Sequence, residues 1–323
     1  MKTTINYAVI GFGPVIQGLV KIAQGFERED WNLKWVARTT GLHDSNLVWI
    51  GPHGDIFAKD QSKNLDAVFI GLPSSGNGAE AQRFARHFLR HGVVVETAEK
   101  ALQACRPGLA DRYRRNFGYT ATVGGNVDVL GFIARDRFGV VEVFGTPNTT
   151  LSFMRWMIAS GASYEQAIAE AVRLQFTESG NLQDEILDAL RKGVILLNQV
   201  AKLKHPLRFK ELKIHPVSEE QIHLMLCQNC VCVVKVSAID GKSFVDSGAA
   251  LSLCRLRRSG WQLEVFFQNA SKLPFCPPTG DKNIFSIINR EGEQYQIFGQ
   301  GAGVEITAGT MFAEARQKIL GLN

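Results

Sequence analysis

The stretch Tyr7-Ala8-Val9-Ile10-Gly11-Phe12-Gly13-Pro14-Val15-Ile16-Gln17-Gly18 joins an apolar run to a glycine turn, and a helical pattern (Val15, Leu19, Ile22, Ala23) follows at once. This order predicts the strand–turn–helix start of a dinucleotide-binding unit. Gly11 permits the tight turn, and Gly13 lets the backbone approach a pyrophosphate at the helix N-terminus, where Pro14 and Val15 begin the first turn. The third glycine of G-x-G-x-x-G normally allows close packing of helix on strand. Ile16 stands in its place, which predicts a shifted helix or weaker cofactor binding.

Working outward, a second strand, Leu33–Ala37, ends in Arg38-Thr39-Thr40-Gly41. An NAD site would carry an acidic residue here for the ribose 2′-hydroxyl; an arginine and hydroxyls suit a 2′-phosphate, so NADP(H) is favoured over NAD(H). Read alone, Arg38 is equally a surface arginine at a strand end. A third strand, Ala67–Leu72, runs into Pro73-Ser74-Ser75-Gly76-Asn77-Gly78, a loop at a strand's C-terminal end, where α/β sheets place ligands. Leu72, Pro73 and Ser74 therefore join the expected cofactor-binding residues. A helix over Glu80–His91 and a strand over Val93–Glu96 follow. Strands alternating with helices at this spacing predict an α/β fold, a Rossmann-type doubly wound parallel sheet.

The second half changes character. Val140–Phe144 reads as a strand, and Thr150–Ser160 and Ser163–Leu174 as helices, the latter with a capping box, Ser163…Gln166. A further helix runs from Asp184 to about Leu203. Strands are then expected over Gln221–Val236, Gly248–Arg257, Trp261–Gln268, Phe285–Asn289 and Gln294–Phe298, as in an antiparallel sheet. A helix over Thr307–Leu320 closes the chain and is expected to pack back on the first domain. The expected division is 1–143 with 300–323 for the dinucleotide domain, and 144–299 for an α+β substrate and dimerisation domain.

The 323 residues are 45% apolar and 21% charged, as in soluble globular proteins. The net charge of +5 is mild and the arginines are scattered, which excludes nucleic acid and suits an anionic cofactor. No apolar run approaches the roughly 18 residues that span a bilayer, and glycines break the N-terminal run that a signal peptide would keep apolar. A cytoplasmic protein is expected. Cys227, Cys230 and Cys232 sit in a strand-like apolar setting and read as small buried thiols rather than metal ligands. The seven histidines form no catalytic or ligating group.

The segment Thr177–Lys192, T-E-S-G-N-L-Q-D-E-I-L-D-A-L-R-K, carries the chemistry. Asp184, Asp188 and Lys192 fall at i, i+4 and i+8 of a helical pattern, with Glu178 in the turn before it. From the residues alone this is either a site for a small zwitterion with a proton donor or a solvated face. The apolar run Val194-Ile195-Leu196-Leu197 one turn on favours a buried site.

Five motifs then resemble homoserine dehydrogenases, in order and over nearly the whole chain: V-V-E-T-A-E-K-A-L-Q-A (Val94–Ala104), Y-T-A-T-V-G-G-N-V-D-V-L (Tyr119–Leu130), F-G-T-P-N-T-T-L-S-F-M (Phe144–Met154), the segment Thr177–Lys192 and F-G-Q-G-A-G-V-E-I-T-A-G-T (Phe298–Thr310). The resemblance is to the short form, without a C-terminal regulatory domain. It implies reversible reduction of L-aspartate 4-semialdehyde to L-homoserine by a nicotinamide cofactor, in the biosynthesis of threonine and methionine, by a homodimer.

By the same resemblance Lys192 and Lys100 are the active-site lysines, Lys100 also touching the cofactor. Glu178, Asp188, Asp184 and Thr150 bind the substrate, and Gly301 lines the cofactor pocket. The backbone of Thr120, Val123, Gly125 and Val127 corresponds to a loop that holds Na+ or K+ in some members. The sequence departs from the family at Ser179-Gly180-Asn181, where it lacks two prolines and an aspartate. It also departs at Glu99, where the family keeps asparagine, at Ile186 or Leu187 (depending on where the gap falls), where it keeps glycine, and at Ile16. These departures leave two other readings open: a catalytically degenerate NADP-binding relative, or an oxidoreductase for a related amino-acid aldehyde or alcohol.

Overall fold

In the computed structural model, which describes residues 3–58, 62–73, 76–177, 180–239 and 249–322, the opening run is β1 (Thr4–Ile10), followed after Gly11–Gly13 by α1 (Pro14–Gln24). Gly11 has φ +82°, and a Cβ there would lie 2.3 Å from the Gly71 carbonyl oxygen, so only glycine fits. The chain continues through β2 (Asp30–Arg38), β3 (Gly41–Asp44), β4 (Trp49–Gly51), α2 (Asp55–Ala58), β5 (Ala67–Ile70), α3 (Ala79–Arg90), β6 (Val94–Thr97), α4 (Lys100–Cys105), α5 (Gly108–Arg112) and β7 (Phe117–Gly118).

The sheet order is β4-β3-β2-β1-β5-β6-β7. From β2 to β7 the strands are parallel, and the order reverses between β1 and β5, where doubly wound sheets bind ligands. The expectation of a parallel sheet needs one correction: β3 and β4 pair antiparallel beyond β2. These strands of four and three residues are too short to show a period, and Gly41, at φ +129°, makes the reversal directly after Arg38.

Residues of β1 alternate between two cores. Ala8 and Ile10 pack with Phe84 and Phe88 of α3 on one face; Ile5, Tyr7 and Val9 pack with Ile16 and Leu19 of α1 on the other. The closing helix, Val304–Leu320, joins the second core through Ala308, Met311 and Phe312. Gly18 lets it approach α1: a Cβ there would meet Val304 Cγ1 at 3.2 Å.

The chain divides into two compact units, Met1–Thr122 with Val304–Asn323, and Val123–Gly303. The first unit is discontinuous in sequence.

The second unit contains α6 (Val129–Arg135), β8 (Val140–Gly145), α7 (Thr149–Ala159), α8 (Tyr164–Arg173), α9 (Leu182–Ala201), α10 (Glu219–Cys227), β9 (Cys230–Ala238), β10 (Leu251–Arg258), β11 (Trp261–Asn269), β12 (Lys282–Asn289) and β13 (Gln294–Gln300). Its six strands form one antiparallel sheet in the order β10-β11-β9-β8-β12-β13. The 20-residue α9 lies close on this sheet because Gly193 has no side chain. A Cβ there would meet Leu263 Cδ1 and Val265 Cγ2 at 3.2 Å each.

The expected strand Gln221–Val236 is wrong in its first half. Ser218 and Gln221 form a capping box that starts α10, and the strand begins only at Cys230. Consequently Cys227, at the helix end, is exposed, while Cys230 and Cys232 are buried. Gly248, the expected start of the next strand, lies outside the described residues. Among the described residues no helix is long and apolar enough to cross a membrane.

Candidate active site

The helix α9 begins at Asn181, whose side chain accepts from the Gln183 amide, and it turns Asp188 and Lys192 toward the loop after β8. Lys192 is buried at 7% exposure. Its Nζ pairs with Asp188 Oδ2 at 2.7 Å and donates to the Pro147 carbonyl, also at 2.7 Å. A buried ammonium persists only with such compensation.

Asn148 caps α7 by accepting from the Leu151 amide, and its Nδ2 faces Glu185 Oε2 at 2.8 Å and Asp188 Oδ2 at 2.9 Å. Thr150 is buried one step along α7, with its hydroxyl donating to the Phe176 carbonyl at 2.9 Å. Burial, then the Asp188 charge, raises the Glu185 carboxyl above its ordinary value, against hydrogen bonds from Asn148, Thr177 and Thr150. Behind the cluster on β9, burial pushes the Cys232 thiol up to about 12, so it stays a neutral packing group.

The structure pairs Asp188 with Lys192 and sets Thr150 beside Glu185, while the third carboxylate of the sequence pattern, Asp184, stands apart. Asp184 is exposed; its neighbour Glu185 is buried and joins the cluster. The reason is angular. Steps of four residues drift about 40° around a helix, so i+8 leaves the stripe, whereas seven residues make nearly two turns and put Glu185 over Lys192. Glu178 and Ser179 lie outside the described residues. Asn148 and Glu185 carried no sequence-level role. The capping position before α7 and the seven-residue spacing were the signals that could have found them.

In the first unit, the glycine turn is open where a cofactor would lie. Gly13 is exposed at the N-terminus of α1, with nothing within 4 Å of where a Cβ would stand. Pro14 is the first residue of the helix, and Val15 is half-buried. Arg38 and Thr39 are exposed at the end of β2, and the Arg38 guanidinium lies 5.8 Å from the centroid of the Phe12 ring in the turn. A cation beside an open helix N-terminus suits a phosphate-rich ligand. Leu72 is half-buried and Pro73 exposed after β5; Ser74 lies outside the described residues.

Ile16 is the third residue of α1. It is fully buried, and its side chain occupies the space over Gly71, where a Cβ would lie 2.3 Å from Ile16 Cγ1. The close approach that the third glycine normally allows is supplied from the facing strand end. Glu99 caps α4 by accepting from the Leu102 amide at 2.6 Å, and Lys100 is the first residue of that helix.

Of the four expected cation-binding positions, Thr120 lies in the first unit, where its amide and hydroxyl donate to Glu314 Oε2 at 2.8 and 2.6 Å. Val123, Gly125 and Val127 lie in the second, where the Val127 carbonyl accepts from the Val129 amide at 2.6 Å. Gly301 is also in the second unit, packed on Asn283 and Thr149.

Against known proteins, a family model described as homoserine dehydrogenase matches residues 135–315. The chain is 28% identical over 254 residues to the homoserine dehydrogenase of Corynebacterium glutamicum, covering 72% of this chain and 53% of that protein. It therefore spans about half the length of the curated relatives it matches. A homoserine dehydrogenase structure from Thermoplasma acidophilum superposes with a TM-score of 0.75 at 19% identity, covering 99% of both chains. A hyperthermophilic archaeal homoserine dehydrogenase mutant in complex with NADPH superposes with a TM-score of 0.70 at 18% identity, covering 99% of this chain and 98% of that one.

Proposed function

Since the chain belongs to the homoserine dehydrogenase family, we propose that it interconverts L-homoserine and L-aspartate 4-semialdehyde with NADP(H), acting as a homodimer. The observation that carries this reading is the buried Asp188–Lys192 pair, with Asn148 and Glu185 beside it.

A bound nicotinamide supplies the hydride that adds to the aldehyde carbon. The alkoxide that develops there needs a proton and a neighbouring positive charge, and the Lys192 ammonium offers both. Asp188 and the Pro147 carbonyl hold that ammonium in place. Asp188 and Glu185 present carboxylate oxygens for the substrate ammonium, together with Glu178 by family resemblance. Lys100 is proposed as the second active-site lysine on the same resemblance.

The residues of the glycine turn fit NADP(H). Gly11 and Gly13 keep the backbone accessible, Arg38 provides the cation for a 2′-phosphate, and a relative binds NADPH. The test is NADP+ reduction by purified protein with L-homoserine. Turnover is expected. Cofactor binding without turnover would instead support a degenerate relative, and turnover only on another amino alcohol would support altered specificity.

A further inference from the structure

We propose that Asn283 is a positioning residue for Lys192, acting through the Pro147 carbonyl; this rests on the reading of Lys192 as the proton donor. Asn283 lies on β12 and is 0% exposed. Its Nδ2 donates to Pro147 O at 3.3 Å, on the same carbonyl that accepts from Lys192 Nζ at 2.7 Å. Its Oδ1 accepts from Thr149 Oγ1 at 3.3 Å. One buried amide therefore ties the residues on both sides of Asn148, the residue that contacts Glu185 and Asp188. Next to it on β12, Ile284 clamps the same turn: its carbonyl accepts from the Thr146 amide at 2.9 Å, and its amide donates to Thr146 Oγ1 at 3.2 Å.

A buried amide is costly unless both its ends are satisfied, and an apolar residue would fill the space more cheaply. What the amide adds is direction. A carbonyl oxygen has two lone pairs, and a donor on one fixes where the other points. Here the other points at the lysine ammonium. The C-terminal glycine motif serves the same device. A Cβ on Gly301 would lie 2.2 Å from Asn283 Nδ2 and 2.5 Å from Thr149 Oγ1, so a side chain there would push the amide off its partners. Among the described residues, the titratable groups that face the ammonium or its partner include Asp188 and Glu185 on its own helix and Cys232 on β9.

The experiment compares wild type, Asn283→Ala, Gly301→Ala and Lys192→Ala in NADPH-dependent reduction of L-aspartate 4-semialdehyde across pH. For Asn283→Ala, kcat is expected to fall about tenfold through misplacement of the donor. KM and NADPH affinity should stay within about threefold, because neither ligand touches Asn283 in this account. The alkaline limb of kcat should move to lower pH, since a Pro147 carbonyl no longer held toward the ammonium stabilises its charged form less. Gly301→Ala should give the same shift and serves if Asn283→Ala does not fold. Unchanged kcat, or a loss of kcat with an unmoved limb, would overturn the positioning role. Full activity in Lys192→Ala would overturn the underlying reading of the lysine instead.

Discussion

Glu185 and Asp184 are adjacent in the chain, yet only Glu185 turns into the site. Its carboxyl is raised above its ordinary value by burial and by Asp188. The consequence for stability has a definite sign. A raised acid contributes fully below its unfolded value, about 4.3, and that contribution fades as pH climbs through the raised folded value. Glutamine cannot ionise, so the melting temperature of Glu185→Gln should gain on wild type as pH rises from about 4 toward neutrality. Function should move the other way. Loss of a carboxylate for the substrate ammonium is expected to raise KM for homoserine roughly tenfold. An unchanged KM would remove Glu185 from the site. The residue types of this cluster were legible in the sequence, and Asp188 and Lys192 were found by their four-residue spacing. The choice between two neighbouring acids was not, because a one-residue step rotates a side chain by about 100° and only the buried face decides.

Among the elements, the strand–turn–helix opening was legible because glycine, proline and apolar periodicity agree over Tyr7–Gly18. The compensation for Ile16 was not, since Gly71 is distant in sequence and ordinary in its loop. That pairing predicts a coupled pair of substitutions. Gly71→Ala should destabilise the protein by about 1–3 kcal/mol through overpacking. In an Ile16→Ala background the loss should shrink, as contacting sites are non-additive. Urea unfolding measures both, and strictly additive losses would deny the contact. The misread α10 has a different cause. Ile222-His223-Leu224-Met225-Leu226-Cys227 runs toward β9 with His223 as its one polar residue, and only Gln228-Asn229, with Asn229 at φ +58°, separates helix from strand. The capping box Ser218…Gln221 was there to be read, as the equivalent box at Ser163 was.

Over the whole molecule, the change from an α/β fold to an antiparallel sheet was legible, because it is a change of period sustained over many residues. The antiparallel β3–β4 pair was not, being shorter than a period can register. Cofactor choice belongs to this scale, and Arg38→Ala should lower kcat/KM for NADP+ roughly tenfold while sparing NAD+. An unchanged preference would remove Arg38 from the phosphate site. Assembly belongs here too. Phe298 stands 68% exposed on the edge strand β13, and Phe298→Glu should convert a dimer to a monomer by light scattering if that edge forms the interface. The most direct test of the central claim compares wild type with Lys192→Ala in NADPH-dependent reduction of L-aspartate 4-semialdehyde, with NADPH binding measured in parallel. A fall in kcat of about a hundredfold to ten-thousandfold with cofactor binding intact is the predicted result; turnover by the alanine variant at the wild-type rate would contradict it.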